Sequence, residues 1–403
     1  MISGLGAHAR TLARSATSTI IAMPEELHLA DLSQATPGVL PSQLLTEAMD
    51  AGWVEAGEPG MPSSNVQPAS LDLRLGDHAY ALRCSFLARD QPVERKLEDF
   101  VVDKLDLAGG GAVLATNRPY LVQLVESLRL PPFVRAKANP KSSTGRIDVF
   151  TRVITDRSHR FDEIAPGYGG PLYVEIVPLS FAVRVRAGLS LNQLRLIVGR
   201  SPVTDDQLRV LQATDPVLFV DGQPADEDQF NTADGLFLTL DLKGDQGGWV
   251  GYRAKRNTPL LDIGMPGAHR SENFWERVRT EKGSRLLLEP EMFYLLLSEE
   301  AVRVPPSLAC EMTAYDPTSG ELRTHYAGFF DPGFGYDRRG ELRGSRAALE
   351  VRAHDVPFMI EHGQRVCKLT FERMACPPAK LYGEAIGSNY QGQIDTLGKH
   401  FRR

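Results

Sequence analysis

Two stretches of the chain begin, alternate and end alike: YLVQLVESLRLPP over Tyr120–Pro132 and YLLLSEEAVRVPP over Tyr294–Pro306. Each opens on Tyr-Leu, carries apolar residues at alternating positions and closes on Pro-Pro, and the two lie 174 residues apart. Alternation with a period of two predicts β-strands, and proline ends a strand because it cannot donate to the ladder. The recurrence predicts that one β-rich domain is present twice.

Outward from these strands, further landmarks recur in the same order, which is hard to obtain by chance. They pair Arg146 with Arg323, Glu175 with Glu350, and Ala165-Pro-Gly-Tyr with Asp331-Pro-Gly-Phe. A repeat this long indicates a tandem duplication rather than a solenoid. The 403 residues therefore divide into an N-terminal tail, 1–39, and two copies, 40–200 and 201–403.

The two copies also share features at their starts. ASLDLRLG around Asp72 is matched to PLLDIG around Asp262, and a helix is expected before each copy, capped by Ser42 and by Thr204. The Asp- and Gly-rich region 215–248 is expected to be an insertion with little core potential. The 36 Gly and 27 Pro favour short strands joined by tight turns.

Composition excludes several classes of function. The formal net charge of −6 argues against nucleic acid or a membrane surface as partner. No apolar run approaches the roughly 18 residues of a membrane span. The four cysteines form no CxxC, and the histidines stand in no HExxH or deaminase zinc motif, so no zinc site is expected. A cytoplasmic protein is predicted, with residues 1–22 as a disordered tail rather than a targeting segment.

PKSSTGR, ending at Arg146, is the first candidate for chemistry. Two adjacent hydroxyls, a glycine, Lys141 and Arg146 can present several donors to one anion, and a triphosphate is the natural ligand. The spacing is not that of a Walker loop. The alternative interpretation is a solvated polar turn.

Glu175 and Glu350 are the second candidates, because each stands inside an apolar strand where an unpaired carboxylate is costly. Their recurrence weakens the alternative that each lies on a solvated strand face. The third candidate is HYAGFFDPGFG, in which Asp331 would bind a sugar hydroxyl and Phe334 would lie against deoxyribose. The alternative there is a simple turn.

Together these pieces resemble the zinc-independent dCTP deaminases of the trimeric dUTPase-like superfamily. QPASLDLRLG is similar to that family's first motif, PKSSTGR to its phosphate motif, and LYVE, ending at Glu175, to the strand of its catalytic glutamate. Ala327, followed by Asp331-Pro-Gly, resembles the water-positioning alanine and sugar-binding aspartate. YGEAIGSNYQGQ (Tyr382–Gln393) resembles the tail that folds over the nucleotide.

The resemblance implies a mainly β fold of two dUTPase-like distorted β-barrel (β-clip) domains with a few short helices. It implies hydrolysis of dCTP to dUTP and ammonia, with the triphosphate bound as its magnesium complex and no zinc. dTTP is a candidate inhibitor. A homo-oligomer is expected, with a trimer favoured and a dimer or a monomer as the alternatives. The implied nucleotide-binding residues are Lys141, Ser143, Thr144, Gly145, Tyr173, Val174, Ala327, Asp331, Phe334, Tyr382, Tyr390 and Gln393.

The resemblance also implies the catalytic roles. A glutamate would take a proton from water and pass it to N3 of cytosine and to the departing amine. Ser142 would orient the water, and Arg146 would hold charge near the base or the phosphates. Glu175 ranks first as the base because it shares a copy with the intact Ser-Ser turn, and Glu350 ranks second.

Each copy departs from the family pattern. The first has Ala165 in place of the sugar-binding aspartate and lacks the tail, whereas the second has DPTSGELR as its phosphate turn. The copies therefore look complementary, which predicts a composite site that joins the first copy's PKSSTGR to the second copy's Asp331 and tail. The rival is a site within the first copy alone. A dUTPase, a bifunctional deaminase that forms dUMP, and a non-catalytic nucleotide sensor remain alternative functions.

Overall fold

The computed structural model describes residues 23–314, 322–324, 328–336, 343–353, 355–383, 390–392 and 395–402, without the side chains of 314 and 322–324. The predicted mainly β fold is confirmed. The helices are short: α1 (Ser42–Asp50), α2 (Val93–Leu97), α3 (Ser142–Gly145) and α4 (Asp205–Thr214), with 3₁₀ turns at Leu29–Asp31, Ser63–Asn65 and Ser271–Asn273. Within these ranges no helix has the length and apolarity that crossing a membrane requires.

The two longer helices lie where the sequence predicts them, and one of them has the predicted cap. Thr204 caps α4, since its hydroxyl accepts from the backbone N–H of Gln207 at 3.3 Å and the Gln207 side chain accepts in return. Ser42 differs from the expectation: it is the first residue of α1, and Pro41 holds the cap position. Proline suits this start because the first turn of a helix leaves its N–H groups unpaired.

The strands of the first copy form two main sheets and a small one. One sheet has the order β1-β13-β8-β10, with β3 against β13; the other has β5-β4-β7-β11-β9, with β2 against β7. The strands are β1 (Gly38–Val39), β2 (Val54–Glu55), β3 (Leu71–Leu73), β4 (Leu75–Leu82), β5 (Val101–Asp106), β6 (Ala112–Leu114), β7 (Tyr120–Arg129), β8 (Val134–Pro140), β9 (Val149–Thr155), β10 (Glu163–Ile164), β11 (Gly169–Pro178), β12 (Val183–Val185) and β13 (Asn192–Val198).

The second copy repeats the arrangement. One sheet contains β15-β14-β21-β17-β19, with β25 between β21 and β23, and the other has the order β16-β27-β22-β24. The strands are β14 (Leu218–Val220), β15 (Gln223–Pro224), β16 (Leu236–Thr239), β17 (Trp249–Ala254), β18 (Leu261–Asp262), β19 (Trp275–Arg279), β20 (Arg285–Leu288), β21 (Phe293–Val302), β22 (Leu308–Ala314), β23 (Leu322–Thr324), β24 (Phe329–Phe330), β25 (Ser345–Ala353), β26 (Phe358–Glu361) and β27 (Arg365–Arg373).

Ladder registers show which residues correspond between the copies. Glu175 lies opposite Leu121 in β7, and Glu350 lies opposite Leu295 in β21, 174 residues further on. β10 and β24 pair with equivalent positions of β8 and β22, so Ala165 and Asp331 follow equivalent strands. The repeated stretches Tyr120–Pro132 and Tyr294–Pro306 therefore hold equivalent strands, β7 and β21, and each strand pairs with the strand that carries the glutamate.

Two expectations about the copy boundaries are wrong. Asp262 does not begin the second copy's barrel, because β18 adds in parallel to β12 of the first copy. The counterpart of β3 is instead β16, which pairs with β27 as β3 pairs with β13. Region 215–248 was expected to contribute little to the core, but it contains β16. Leu236 and Leu238 of this strand are fully buried in the second core.

The two copies meet through a small apolar cluster and a set of polar contacts. Val39, Ala69 and Ile197 of the first copy pack with Ala309 and Met374 of the second. Polar contacts across the same interface join positions in β8 and β22, where Lys137 Nζ lies 2.6 Å from Glu311 Oε2. This packing brings the α3 turn of the first copy towards β25 of the second.

Candidate active site

The polar turn PKSSTGR folds as the single helical turn α3 at the end of β8. Pro140 is the last residue of β8, and the backbone turns at once, with Thr144 N donating to Lys141 O at 2.8 Å. The Thr144 hydroxyl donates to Leu191 O at 2.9 Å, and Lys141 N donates to the same carbonyl at 2.9 Å. Leu191 thus holds the turn from behind, which makes α3 a fixed element rather than a solvated loop.

Glu350 of the second copy lies against Gly145 of this turn. A Cβ atom placed on Gly145 would stand 2.6 Å from Oε1 of Glu350 and 2.7 Å from its Cδ, distances that no real Cβ tolerates. Glycine lets the carboxylate lie this close to the turn, since any added side chain would have to displace the end of the Glu350 side chain. The first copy's turn and the second copy's glutamate are therefore in direct contact.

Burial controls the electrostatics of Glu350, which is 7% exposed. Desolvation raises the pKa of Glu350 well above its ordinary value, the guanidinium of Arg146 opposes this shift, and Asp148 adds to it. The carboxyl group therefore holds a proton much more readily than an exposed glutamate. A group of this kind can carry protons near neutral pH.

Arg146 joins the turn to the C-terminal tail. Its Nε donates to the Ser142 hydroxyl at 3.2 Å and its Nη1 donates to Thr396 O at 3.1 Å. The guanidinium carbon lies 3.7 Å from the ring centroid of Tyr390, a cation–π contact. With 2% of its surface exposed, Arg146 is a buried cation whose position is fixed from several sides.

A buried ion pair between Asp148 of the first copy and Arg352 of β25 connects the two copies. Arg352 Nη2 contacts Asp148 Oδ2, which also accepts from the Ser180 hydroxyl. Arg352 stands two residues after Glu350, on the same face of β25 because side chains alternate along a strand. Sequence reasoning missed this pair, although an arginine two residues from a buried glutamate in an apolar strand was a readable signal.

Asp331 follows β24 and faces the first copy. Its Oδ1 lies 2.8 Å from Arg195 Nη2, and its Oδ2 accepts from the Ser70 hydroxyl at 3.3 Å. Arg195 is itself buried and stacks on the ring of Phe329 at 4.0 Å. The aspartate is thus oriented by two residues of the other copy: Ser70, which lies in the QPASLDLRLG motif, and Arg195, which the sequence analysis did not identify.

The aromatic residues beside Asp331 pack against one another. Phe334 packs between Phe330, at 4.8 Å between ring centroids, and Tyr382, at 5.5 Å. Tyr382 N donates to Pro332 O at 2.8 Å, so the start of the tail is pinned to the Asp331 turn. Burial raises the pKa of the Tyr382 phenol, which keeps it neutral.

Glu175 has a different environment in the first copy. Its Oε1 accepts from Arg152 Nη2 at 2.6 Å and from Arg152 Nε at 3.1 Å, and the Arg152 guanidinium lies 3.7 Å from the ring centroid of Phe161. Tyr173, two residues earlier, packs in a separate apolar cluster with α2 and donates to Glu94 at 3.3 Å. Glu175 is therefore buried and paired with an arginine of its own copy.

The remaining sequence candidates distribute as follows. Ser143 and Thr144 are buried in the α3 turn, and Val174 lies in the first core. Lys141 forms an ion pair with Asp72 of β3. Ala327 and Gln393 lie outside the described residues. Within the described ranges no three His, Cys, Asp or Glu side chains cluster as a metal site would need.

Comparison with known proteins decides the family. The model of the N-terminal domain of 2'-deoxycytidine 5'-triphosphate deaminase matches residues 36–200, and that of its C-terminal domain matches residues 204–401. The crystal structure of 2'-deoxycytidine 5'-triphosphate deaminase from Agrobacterium tumefaciens is 43% identical, with a TM-score of 0.79, over 85% of this chain and 99% of that one. The chain belongs to the dCTP deaminase family. This confirms the family that the sequence motifs indicate.

Curated relatives in the dCTP deaminase family match shorter stretches. A dCTP deaminase of Natronomonas pharaonis is 30% identical over 125 residues, which is 30% of this chain and 60% of that protein. A dUMP-forming dCTP deaminase of Methanosphaera stadtmanae is 29% identical over 126 residues, 30% of this chain and 59% of the relative. The chain thus spans about three fifths of the length of these curated relatives.

Proposed function

We propose that this chain hydrolyses dCTP to dUTP and ammonia at one composite site, built from the first copy's α3 turn and the second copy's Glu350 and Asp331. The contact of Glu350 with Gly145 carries the proposal, because it joins a buried carboxyl group to the anion-binding turn. The family membership supports the substrate. The ion pair of Glu175 with Arg152 argues against Glu175 as the base.

In the proposed mechanism, Glu350 takes one proton from the attacking water and delivers it to N3, while the oxygen adds to C4. It then takes the second proton from the new C4 hydroxyl and delivers it to the amine, which leaves as ammonia as the C4 carbonyl forms. A carboxyl group with a raised pKa suits both halves of this task, since it accepts a proton from water and is a competent donor near neutral pH. Ser142 orients the water, and its position is set by the hydrogen bond from Arg146 Nε. Arg146 stabilises negative charge that develops on the pyrimidine ring.

The substrate would lie across both copies. Its triphosphate would bind as the magnesium complex at Lys141, Ser143 and the backbone N–H groups of α3. Its sugar would meet Asp331, whose carboxylate is already oriented by Arg195. The tail from Tyr382 onwards would cover the nucleotide, and Tyr390 contributes to this cover through its contact with Arg146. Zinc has no step in this scheme.

We also propose that each chain holds one complete active site. The first copy's turn contacts the second copy's glutamate within a single chain. At the equivalent position of the first copy, Glu175 is paired with Arg152 of the same copy. The homo-oligomer, and the trimer favoured from the family, would then multiply complete sites rather than create them.

Incubation of the full-length protein with dCTP and magnesium tests the function, with the nucleotides resolved by ion-exchange chromatography. The proposal expects a dUTP peak and released ammonia that survive a zinc-selective chelator. Arg146→Met, which removes the charge at the centre of the site, should abolish the peak, whereas Arg157→Met on an exposed turn of the same copy should not. Loss of activity on chelation would overturn the zinc-free mechanism.

A second candidate is the bifunctional reaction that carries dCTP to dUMP. Several relatives, such as the Methanosphaera stadtmanae and Halobacterium salinarum proteins, are named as dUMP-forming dCTP deaminases. The same chromatogram separates the two reactions. A dUMP peak with pyrophosphate, present from the first turnover, would favour the bifunctional enzyme, and unchanged dCTP in a protein that binds it would favour a nucleotide sensor.

A further inference from the structure

A buried ion pair lies beside the contact between the α3 turn and Glu350. Asp148 follows Arg146 by two residues in the first copy. Arg352 follows Glu350 by two residues in β25. Arg352 Nη2 contacts Asp148 Oδ2, and both side chains are buried. The pair therefore ties the backbone that carries Arg146 to the strand that carries Glu350.

The first copy fixes the direction of the Asp148 carboxylate. The backbone N–H of Asp148 donates to Gly145 O at 2.8 Å, and its carbonyl accepts from Leu179 N at 3.0 Å. Its φ of 56° is in the left-handed region, which aspartate and asparagine tolerate better than most residues. Its Oδ2 also accepts from the Ser180 hydroxyl. Asp148 is thus bonded to the same glycine that Glu350 touches.

The second copy holds the other partner, Arg352. Its Nη1 donates to Glu291 O at 2.5 Å, and its guanidinium carbon lies 6.0 Å from the ring centroid of Phe293. Side chains two residues apart on a strand leave it on the same face, so Arg352 and Glu350 both point from β25 towards the first copy. The ion pair with Asp148 therefore sets how far β25, and with it Glu350, stands from the turn.

Two charged groups of the first copy act on the Glu350 carboxyl group within the described residues. Arg146 favours its ionised form, whereas Asp148 adds to the effect of burial, which raises the pKa of Glu350. From the neighbouring strand β21, the apolar Leu295 lies opposite Glu350. Arg352 offsets the charge of Asp148 by direct contact, in a buried position where salt screens little. The ion pair therefore limits how strongly Asp148 keeps a proton on Glu350.

We propose that Asp148 and Arg352 are positioning residues for the proposed reaction: their ion pair keeps Glu350 against Gly145 and balances the charge beside it. Neither residue needs to touch the nucleotide. The inference rests on the proposed function for the role of Glu350 as the base, while the placement and the charge balance are the same whichever nucleotide binds. Removal of either partner should therefore disturb Glu350 in a way that depends on the sign of the charge removed.

The test follows the protonation of Glu350 in the full-length protein by NMR of glutamate labelled at its carboxyl carbon, with Glu350→Gln to identify the signal. Asp148→Asn should shift this titration to lower pH, because a nearby negative charge is removed. Arg352→Gln should shift it to higher pH, because two buried carboxylates then interact without the guanidinium group and the last proton leaves later. The double variant removes both charges and should fall between the two. A purely structural role would not move the titration in opposite directions.

Steady-state assays with dCTP give the effect on the reaction. Arg352→Gln should lower kcat by roughly tenfold or more, with a smaller change in KM, because Glu350 is displaced from the turn while the nucleotide contacts remain. Arg352→Lys keeps the charge and should recover part of the loss. Arg186→Met is the matched control, because the ion pair of Arg186 with Asp262 also joins the copies but lies at β12 and β18. It should leave kcat and the Glu350 titration unchanged.

The outcomes separate this inference from the proposed function. Opposite shifts of the Glu350 titration in a protein that leaves dCTP unchanged would uphold the placement and the charge balance and refute the deaminase. An unmoved titration in both single variants, with wild-type kcat, would overturn the inference and leave the deaminase standing. Shifts as large in Arg186→Met would also overturn it, since any loosening of the two copies would then have the same effect. Asp148→Asn keeps an acceptor for the Ser180 hydroxyl and tolerates a positive φ, so it tests the inference even where Arg352→Gln does not fold.

Discussion

Replacement of Gly145 by alanine is the sharpest steric perturbation of the composite site. The added methyl group would stand 2.6 Å from Oε1 of Glu350, and roughly 1 Å of displacement is needed to reach an ordinary contact. Gly145 ends the α3 turn and its φ is not positive, so alanine causes no backbone strain there. The clash falls on the far end of a side chain, which can move.

The expected result is a large loss of turnover with a small loss of stability. A misplacement of about 1 Å at a reacting group costs on the order of a hundredfold in rate. Overpacking of a buried site costs about 1–3 kcal/mol of unfolding free energy. The rate of dUTP formation gives kcat and KM, and urea unfolding gives the stability. Gly110→Ala is the matched control, because a Cβ there meets nothing within 4 Å and its φ is not positive.

A double-mutant cycle isolates the cause. Glu350→Asp shortens the side chain by one methylene and makes room for the new methyl group, so Gly145→Ala should cost much less in that background than in the wild type. Equal costs in both backgrounds would refute the steric argument. Wild-type kcat in Gly145→Ala would refute the placement of Glu350 against the turn.

Further predictions concern pH and the buried ion pairs. Because the pKa of Glu350 is raised, kcat should fall on acidification at a pH above that expected for an ordinary glutamate, as a pH–rate profile would show. The folded protein binds this proton more tightly than the unfolded chain, so stability falls as pH rises above the ordinary glutamate pKa, and Glu350→Gln should abolish that slope in urea titrations. Arg152→Met leaves Glu175 buried and unpaired and should cost about 3 kcal/mol of stability, measured by urea unfolding, while kcat is retained. Asp331→Asn should raise KM for dCTP by roughly tenfold, because the charged partner of Arg195 is lost, with a smaller effect on kcat in steady-state assays.

The duplication was predictable because its signals are local. Alternation of apolar residues, a Pro-Pro end and a recurring glutamate can be read without knowledge of tertiary contacts, and the ladders of β7 and β21 agree with them. The α3 turn was predictable for the same reason. Its hydroxyls, glycine and flanking cations stand within seven residues of sequence.

Other features depend on contacts across the fold. PLLDIG around Asp262 resembles the start of a copy by composition, but its strand β18 pairs with β12 of the first copy, and only tertiary structure sets that choice. Region 215–248 was misjudged because its Asp and Gly content masked the alternation of Leu236, Leu238 and Leu240, which are buried. The average composition of a region therefore does not reveal a short strand within it.

The choice between the two glutamates could not be made from the sequence, since both stand in apolar strands. Arg152 neutralises Glu175 from the neighbouring strand, 23 residues earlier in the chain, and Gly145 meets Glu350 from the other copy. Both facts are matters of ladder register and domain packing. The ranking of Glu175 first rests on proximity in sequence, whereas in the structure the intact turn contacts Glu350.

Turnover of dCTP by Glu350→Gln and Glu175→Gln, measured side by side, tests the composite site most directly. Each change is isosteric and removes one buried carboxylate. The account predicts that Glu350→Gln lowers kcat by roughly a hundredfold to ten-thousandfold, as the loss of a general base does. It predicts that Glu175→Gln, assayed below its unfolding temperature, retains a kcat close to that of the wild type. Loss of turnover in Glu175→Gln with activity intact in Glu350→Gln would contradict the account.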